Sequence, residues 1–371
     1  MLLPAFAPKR VDGYATLMVD AARRALDEAV PANGSQARVA IDAWWTEVTM
    51  DVIMRTLFGD ASRARSQAAA RASRTLIDTA FRQMFWPVTL PDWLPLPGKR
   101  DKRRALRTLR QLVRRQIDAR RAGLAVDPAA TGDDLLGRLL ALRDDDTGQA
   151  LDEQEIFDQC LVVFQAGHET TASALTWWSG LVAAHPDVAR RLHAEVDDAL
   201  AGERPQPRHV ARLPWLVASL KEAMRLYPPV SALMTRRTLA PIRVGGQTIP
   251  AGAMLRVSPW VLHHDPRWFD EPQRFAPERF VDGAPPIPKG AWIPFGIGPR
   301  VCLGQHFAML EMTLLAAMLL QRYALQPIEG EPPGEPWQTI TLRPRGGSSL
   351  ILARRPAASH TRLASSAALP T

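Results

Sequence analysis

Phe295-Gly296-Ile297-Gly298-Pro299-Arg300-Val301-Cys302-Leu303-Gly304 isolates one cysteine in a glycine-rich turn. Phe307, Leu310, Leu314 and Met318 follow at helical spacing, so the turn leads into an apolar helix. A thiolate at Cys302 would face the first free N–H groups of that helix, which favour negative charge and lower a thiol pKa. Gly296, Gly298 and Gly304 let the backbone approach something flat and bulky where side chains would stand in the way. Arg300 can reach a carboxylate on the same object. A planar, carboxylate-bearing, iron-centred ligand meets all of these demands. A buried, inert cysteine beside a tight turn is the plainer alternative.

The order F-x-x-G-x-R-x-C-x-G resembles the heme-ligating signature of the cytochrome P450 family. The resemblance implies heme b (iron protoporphyrin IX), with Cys302 as axial iron ligand and Phe295, Gly296, Gly298, Arg300 and Gly304 around it. It also implies the family's fold, mainly α with small β-sheets.

A second stretch stands in a long helical pattern from Asp152 to about His185-Pro186. Asp152 and Glu155 make a capping-box variant at its start, and the run gives a helix of about 50 Å. Near its middle lies Ala166-Gly167-His168-Glu169-Thr170-Thr171. Glycine weakens a helix there and Thr170 can draw off a backbone carbonyl, so local widening is expected. The plain reading is a helix glycine, a solvated glutamate and a packing threonine. The stretch resembles the family's oxygen-activation motif, which implies that Glu169 and Thr170 relay protons to dioxygen. His168 occupies the motif's variable position and should point away from the heme.

Glu222 and Arg225 lie one turn apart in Lys221-Glu222-Ala223-Met224-Arg225, on a helix that is apolar at Leu216, Leu220 and Met224 and stops at Pro228-Pro229. Alone, such a pair is a surface ion pair of little worth. It resembles the family's E-x-x-R, which implies a buried structural network with Arg279 of Pro277-Glu278-Arg279-Phe280. Arg236 lies fourteen residues before the Ile249-Pro250-Ala251-Gly252 turn, an offset that resembles the family's propionate-binding arginine. Arg237 competes, because a one-residue shift along a strand reverses which side chain points inward.

Composition excludes several classes. With 46% hydrophobic and 23% charged residues in 371, the chain is an ordinary globular one. The long apolar run 156–184 carries Asp158, Gln159, Gln165, His168 and Glu169 and so reads as a buried helix, with Cys160 in the core. Two separated cysteines and no secretory signal fit a reducing cytoplasm without disulfides. The net charge of +8 is local: residues 99–121 hold eleven Lys and Arg against Asp101 and Asp118. Leu106, Leu109, Leu112, Val113 and Ile117 recur there at helical spacing, which leaves the cations on an outer face. That face is either simply solvated or meets an anionic partner, substrate or membrane surface. No nucleic-acid motif accompanies it.

Helical spacing covers 12–30, 40–58, 62–82, 100–122, 133–143, 152–184, 187–201 and 214–227. Short strands follow: a hairpin at Ile242–Ile249 around Gly245-Gly246, a strand at Met254–Val257, and a second hairpin joining Thr339–Leu342 to Ser349–Ala353 around Gly346-Gly347. One domain over 1–355 and a disordered tail over 356–371 are expected. Residues 1–6 resemble the end of an internal helix of the family fold. The earlier Trp-x-x-x-Arg motif, the preceding helices and the outer strands have no counterpart, so the expected fold is N-terminally truncated. A longer product would have room for an N-terminal anchor.

The resemblance implies a monooxygenase that inserts one oxygen atom from O2 into a small apolar substrate. No flavin or nicotinamide fingerprint is visible, so electrons would come from a ferredoxin or flavodoxin with its reductase. The expected state is a monomer. The alternatives are a peroxide-using heme enzyme and a heme-binding chain without turnover.

Overall fold

The computed structural model describes residues 6–356 except 60–61, 85–87, 89, 92, 95, 97, 127–133, 144–147 and 332–333. The expected tail therefore lies outside the described residues, apart from its first position, as do residues 1–5. The helices are α1 (Pro8–Gly13), α2 (Ala15–Ala29), α3 (Ile41–Phe58), α4 (Arg63–Met84), α5 (Lys99–Val126), α6 (Leu135–Ala141), α7 (Glu153–Ala184), α8 (Pro186–Leu200), α9 (Pro214–Leu226), α10 (Pro259–His263) and α11 (Gln305–Arg322). The strands are β1 (Gln36–Ala40), β2 (Arg236–Arg237), β3 (Ile242–Val244), β4 (Gln247–Ile249), β5 (Met254–Leu255), β6 (Tyr323–Gln326), β7 (Pro336–Gln338), β8 (Leu342–Pro344) and β9 (Ser349–Arg354). The body is mainly helical with small antiparallel sheets, as the sequence predicts.

The long helix α7 begins at the expected capping box. Asp152 accepts from the Glu155 N–H at 2.7 Å, and Glu155 accepts from the Asp152 N–H at 2.8 Å. Eighteen of its side chains are buried, so it threads the core with little solvated surface. It is tied to α3 by Trp45 Nε1 donating to Ser179 Oγ (2.9 Å) and by Thr49 Oγ1 donating to the His168 carbonyl (3.0 Å). Trp178 Nε1 reaches Ser219 Oγ on α9 at 2.9 Å. The buried indoles of Trp45 and Trp178, each with its N–H on an acceptor, add apolar area without an unsatisfied donor. One hydrophobic cluster runs from Val11 to Leu352, with α11 contributing an unbroken buried stretch from Leu314 to Leu320.

The β3–β4 hairpin forms as predicted, with Gly245 and Gly246 both at positive φ (56° and 81°), which the two-residue turn requires. The second predicted hairpin does not form. β8 pairs with β7 in register Gln338↔Leu342, and β9 runs instead between β1 and β6 in a three-stranded sheet. Leu350 and Leu352 alternate inward on β9, and a central strand buries them better than a hairpin edge. Gly347 turns the chain toward that sheet at φ 88°; a Cβ there would lie 3.1 Å from the Asp42 carboxylate. β1 and β6 were not foreseen, because each is short and owes its pairing to β9.

Candidate heme and oxygen site

Cys302 sits between a 3-10 turn (Gly298–Arg300) and α11. Its N–H donates to the Phe295 carbonyl at 2.8 Å, and the Gly296 N–H to the Ile293 carbonyl at 3.0 Å, which folds the loop back on itself. Gly296 and Gly298 stand at φ 76° and 74°, a region that side-chain-bearing residues avoid. The loop is braced from behind. Ile293 N–H donates to His263 Nε2 at 2.8 Å, and the His263 carbonyl accepts from Arg225 at 2.8 Å.

Arg225 is completely buried and all five of its N–H donors are used. They reach both oxygens of Glu222 (2.7 and 2.8 Å) and the carbonyls of His263, Pro272 and Arg274. Arg279 Nε stands 3.5 Å from Glu222 Oε1, and the Ala276 N–H adds a bond to the same oxygen at 3.0 Å. Burial pushes the Glu222 carboxyl above its ordinary value, with these donors acting against it. The structure thus brings Glu222, Arg225 and Arg279 together. Through His263, a residue the sequence reading missed, it joins them to the cysteine loop.

The cysteine loop forms one wall of a cavity of about 380 Å³. Cys302, Phe295, Gly296, Arg300, Gly304 and Arg236 line it, and Ala166, Gly167, Thr170 and Thr171 of α7 face them. Gly298 is not among the lining residues; it shapes the turn behind. Arg236 and Arg237 stand in different surroundings. Arg236 reaches the cavity, its Nη1 donating to the Met234 carbonyl at 3.0 Å, while the Arg237 guanidinium lies beside Gly252.

A heme fits this donor set: a thiol and two arginines in an otherwise apolar hollow. Among the described residues neither Arg236 nor Arg300 has a carboxylate partner. The thiol itself departs from the sequence expectation. Apolar burial holds Cys302 above its ordinary value, and the Gly304 N–H acts only partly against it. Cys302 is exposed and lines the cavity. A metal bound at Cys302 would favour the thiolate more strongly than the helix end does.

On α7 the helix continues unbroken through 166–171, without the expected widening. Thr170 Oγ1 donates to the Ala166 carbonyl at 2.9 Å, the diversion its sequence position predicts. Gly167 has a different reason than weakening the helix. A Cβ there would fall 2.6 Å from Ile53 Cδ1, so glycine lets α3 and α7 close together at the cavity wall.

Glu169 does not line the cavity. It is buried and held by Arg343 of β8, Nε to Oε1 at 2.6 Å and Nη2 to Oε2 at 2.5 Å, with Thr341 Oγ1 donating at 2.8 Å. Burial alone would push its carboxyl up. The Arg343 charge and hydrogen bonds outweigh it and hold Glu169 below the usual carboxylate range. His168 is buried on the far side, with Nδ1 on the Phe164 carbonyl at 2.8 Å. Arg343 and Thr341 left no mark in the sequence reading. Glu311, a lone acid in the apolar run of α11 that the sequence analysis also passed over, is 1% exposed, and burial pushes its carboxyl well above its ordinary value with Thr171 acting against it.

Comparisons with known proteins give the family of the chain. The family model for cytochrome P450 matches residues 1–351. The chain is 35% identical over 332 residues to cyclooctat-9-en-7-ol 5-monooxygenase of Streptomyces melanosporofaciens, covering 89% of this chain and 70% of that one. It is 36% identical to cyclooctatin synthase of the same organism, covering 94% and 73%. Among solved structures, a retinoic acid-bound cyanobacterial CYP120A1 superposes with a TM-score of 0.82 at 29% identity, covering 95% of this chain and 77% of that one. The chain belongs to the cytochrome P450 family, and is an oxidoreductase of the heme-thiolate monooxygenase type.

Proposed function

We propose that this chain binds heme b through Cys302 and inserts one oxygen atom from O2 into a small, mainly hydrocarbon substrate. Its electrons would come from a separate ferredoxin or flavodoxin with its reductase. The observation that carries this reading is the placement of Cys302, Arg236 and Arg300 on one apolar cavity with Thr170 opposite. When bound, the heme supplies oxygen activation, which a thiolate ligand favours by donating electron density.

The protein's own part is binding, orientation and proton handling. Arg236 and Arg300 would each hold a carboxylate of the heme by charge-assisted hydrogen bonds. Gly296 and Gly304 leave the backbone bare toward its face. Ile53, Val163, Leu233, Met234 and Met312 line the same hollow and exclude water from an apolar guest. Thr170 keeps its hydroxyl proton on the Ala166 carbonyl, at the cavity wall. Glu169, one residue earlier, would serve as the acid behind it once released from Arg343. Relatives support the substrate class: one is named for a carbocyclic alcohol, and a structural neighbour holds retinoic acid.

Peroxide-driven turnover is the second reading, favoured by the hold of Arg343 on Glu169, because peroxide brings its own protons and electrons. Expression with heme and the reduced carbon monoxide spectrum test the main proposal. A Soret band at the thiolate position is expected; absence of heme uptake overturns it. Product formation that needs NAD(P)H and a redox chain, and not with peroxide alone, separates the two readings.

A further inference from the structure

A series of rings in contact begins beside the cavity and ends at the surface. Trp177 on α7 lies one turn beyond Ala174, which lines the cavity. Its ring lies flat against Tyr227, with 4.0 Å between centroids and 8° between planes. Tyr227, just past the end of α9, meets Trp260 of α10 at 6.1 Å, and Trp260 meets His264 at 4.4 Å. The innermost ring, Trp177, is buried, and the outer three are half-buried. Both ends are fastened to backbone. Trp177 Nε1 donates to the Leu342 carbonyl at 2.9 Å, and His264 Nδ1 donates to the Trp260 carbonyl at 2.8 Å.

Packing alone would be served as well by phenylalanine, which fills the same space without a polar handle. The series instead uses indole and phenol, the uncharged rings that give up an electron most readily. The face-to-face contact of Trp177 and Tyr227 lets an electron pass between them. Burial pushes the Tyr227 phenol up, so it keeps its proton while the ring is reduced. Its hydroxyl has no hydrogen-bond partner among the described residues, and the half-buried side chain leaves a way for that proton to reach water. Tyr14 makes the contrast: it stands 6.3 Å from Phe307 on the cavity wall and is itself buried, so it offers no route outward.

We propose that Trp177, Tyr227 and Trp260 conduct oxidising equivalents from the Cys302 cavity to the surface, which gives the chain a peroxidase-type activity toward small water-soluble one-electron donors such as ascorbate. The proposal rests on heme occupying that cavity. Hydrogen peroxide consumed there takes up two electrons and two protons and leaves as two waters. Each electron departs from Trp177, is replaced from Tyr227 and then from Trp260, and is restored at the surface by one molecule of the donor. Tyr227 sheds its phenolic proton to water as its electron leaves and regains one as an electron returns. The protons consumed come from the two donor molecules, so the protein ends unchanged. With no substrate in the cavity, this drain spares Met234 and Met312 on its wall from conversion to sulfoxide.

The first test adds hydrogen peroxide to the heme-loaded protein without substrate and reads the frozen sample by electron paramagnetic resonance. A tyrosyl radical is expected, and the chain has only three tyrosines that could carry it. Tyr227→Phe keeps the ring stack but should abolish that signal and most ascorbate oxidation. Trp260→Phe should slow ascorbate oxidation, and in both variants mass spectrometry should find more sulfoxide at Met312. An unchanged Soret spectrum and Tm in Tyr227→Phe exclude a structural cause. The second test needs no heme. A ruthenium photo-oxidant is attached to Cys302, which is exposed where Cys160 is buried, and a flash should again give a tyrosyl radical that Tyr227→Phe removes. Absence of heme uptake would sink the reading of Cys302, and the photo-oxidant then decides the conduction by itself. A radical on Tyr14 or Tyr323, one that survives Tyr227→Phe, or none in either test overturns the proposal.

Discussion

Arg343 grips both carboxylate oxygens of Glu169 across 174 residues of chain, at 2.6 and 2.5 Å. Against burial, this grip holds the Glu169 carboxyl below its usual range, one residue before Thr170, which lines the cavity. Thr46 Oγ1 stands 3.4 Å from the same guanidinium, so α3, α7 and β8 meet at this pair.

Replacing Arg343 by Gln strands a buried carboxylate, and breaking such a pair costs about 3 kcal/mol. Urea unfolding should show that loss at neutral pH, and it should shrink as the medium is acidified and Glu169 takes up a proton. Arg343→Lys should recover part of it. An equal loss at all pH values would mean that Glu169 is not the partner that matters.

Gly167→Ala forces a methyl group to within 2.6 Å of Ile53 Cδ1, the mobile end of its side chain. The expected cost is about 1 kcal/mol, near the low end for overpacking. Ile53→Val removes the clashing atom, so the double variant should be more stable than the sum of the single changes predicts. Additivity in a double-mutant cycle would refute a direct contact.

Arg236→Gln should weaken heme retention about tenfold, because a charge-assisted hydrogen bond to a carboxylate is lost. Arg237→Gln should leave retention unchanged, since its side chain lies beside Gly252. Transfer of heme to apomyoglobin reads both; equal effects would place the two arginines on the same face.

His263 is buried with Nε2 accepting the Ile293 N–H, and burial lowers its pKa from the usual 6.5 to about 3. The unfolded chain therefore binds a proton that the folded chain refuses. Stability is complete above pH 6.5 and is lost as pH falls toward 3, by up to about 1.4 kcal/mol per pH unit. His263→Asn keeps an acceptor and removes the titration. Its unfolding free energy should fall less steeply over that window, and an unchanged slope would refute the assignment.

The helical body and the motifs on it were legible in neighbouring residues. Helical periodicity, the Asp152–Glu155 capping box and the proline stop at 228–229 are local devices, and each operates in the structure where its residues stand. The cysteine turn was legible for the same reason: positive φ at Gly296 and Gly298 is a property of the residues themselves. The long-range partners came from packing. β1 and β6 exist because β9 pairs with both, and nothing in their four or five residues announces it. Arg236 lines the cavity, a placement that spacing left open, and it stands opposite Leu255 in the β2–β5 pairing. His263, Thr341 and Arg343 act on residues 30 to 174 positions away, where spacing in the chain carries no information. Short-range sterics and capping are written in neighbouring residues; burial and charge pairing belong to the packed core, and they settle which way a side chain points and whether its proton stays.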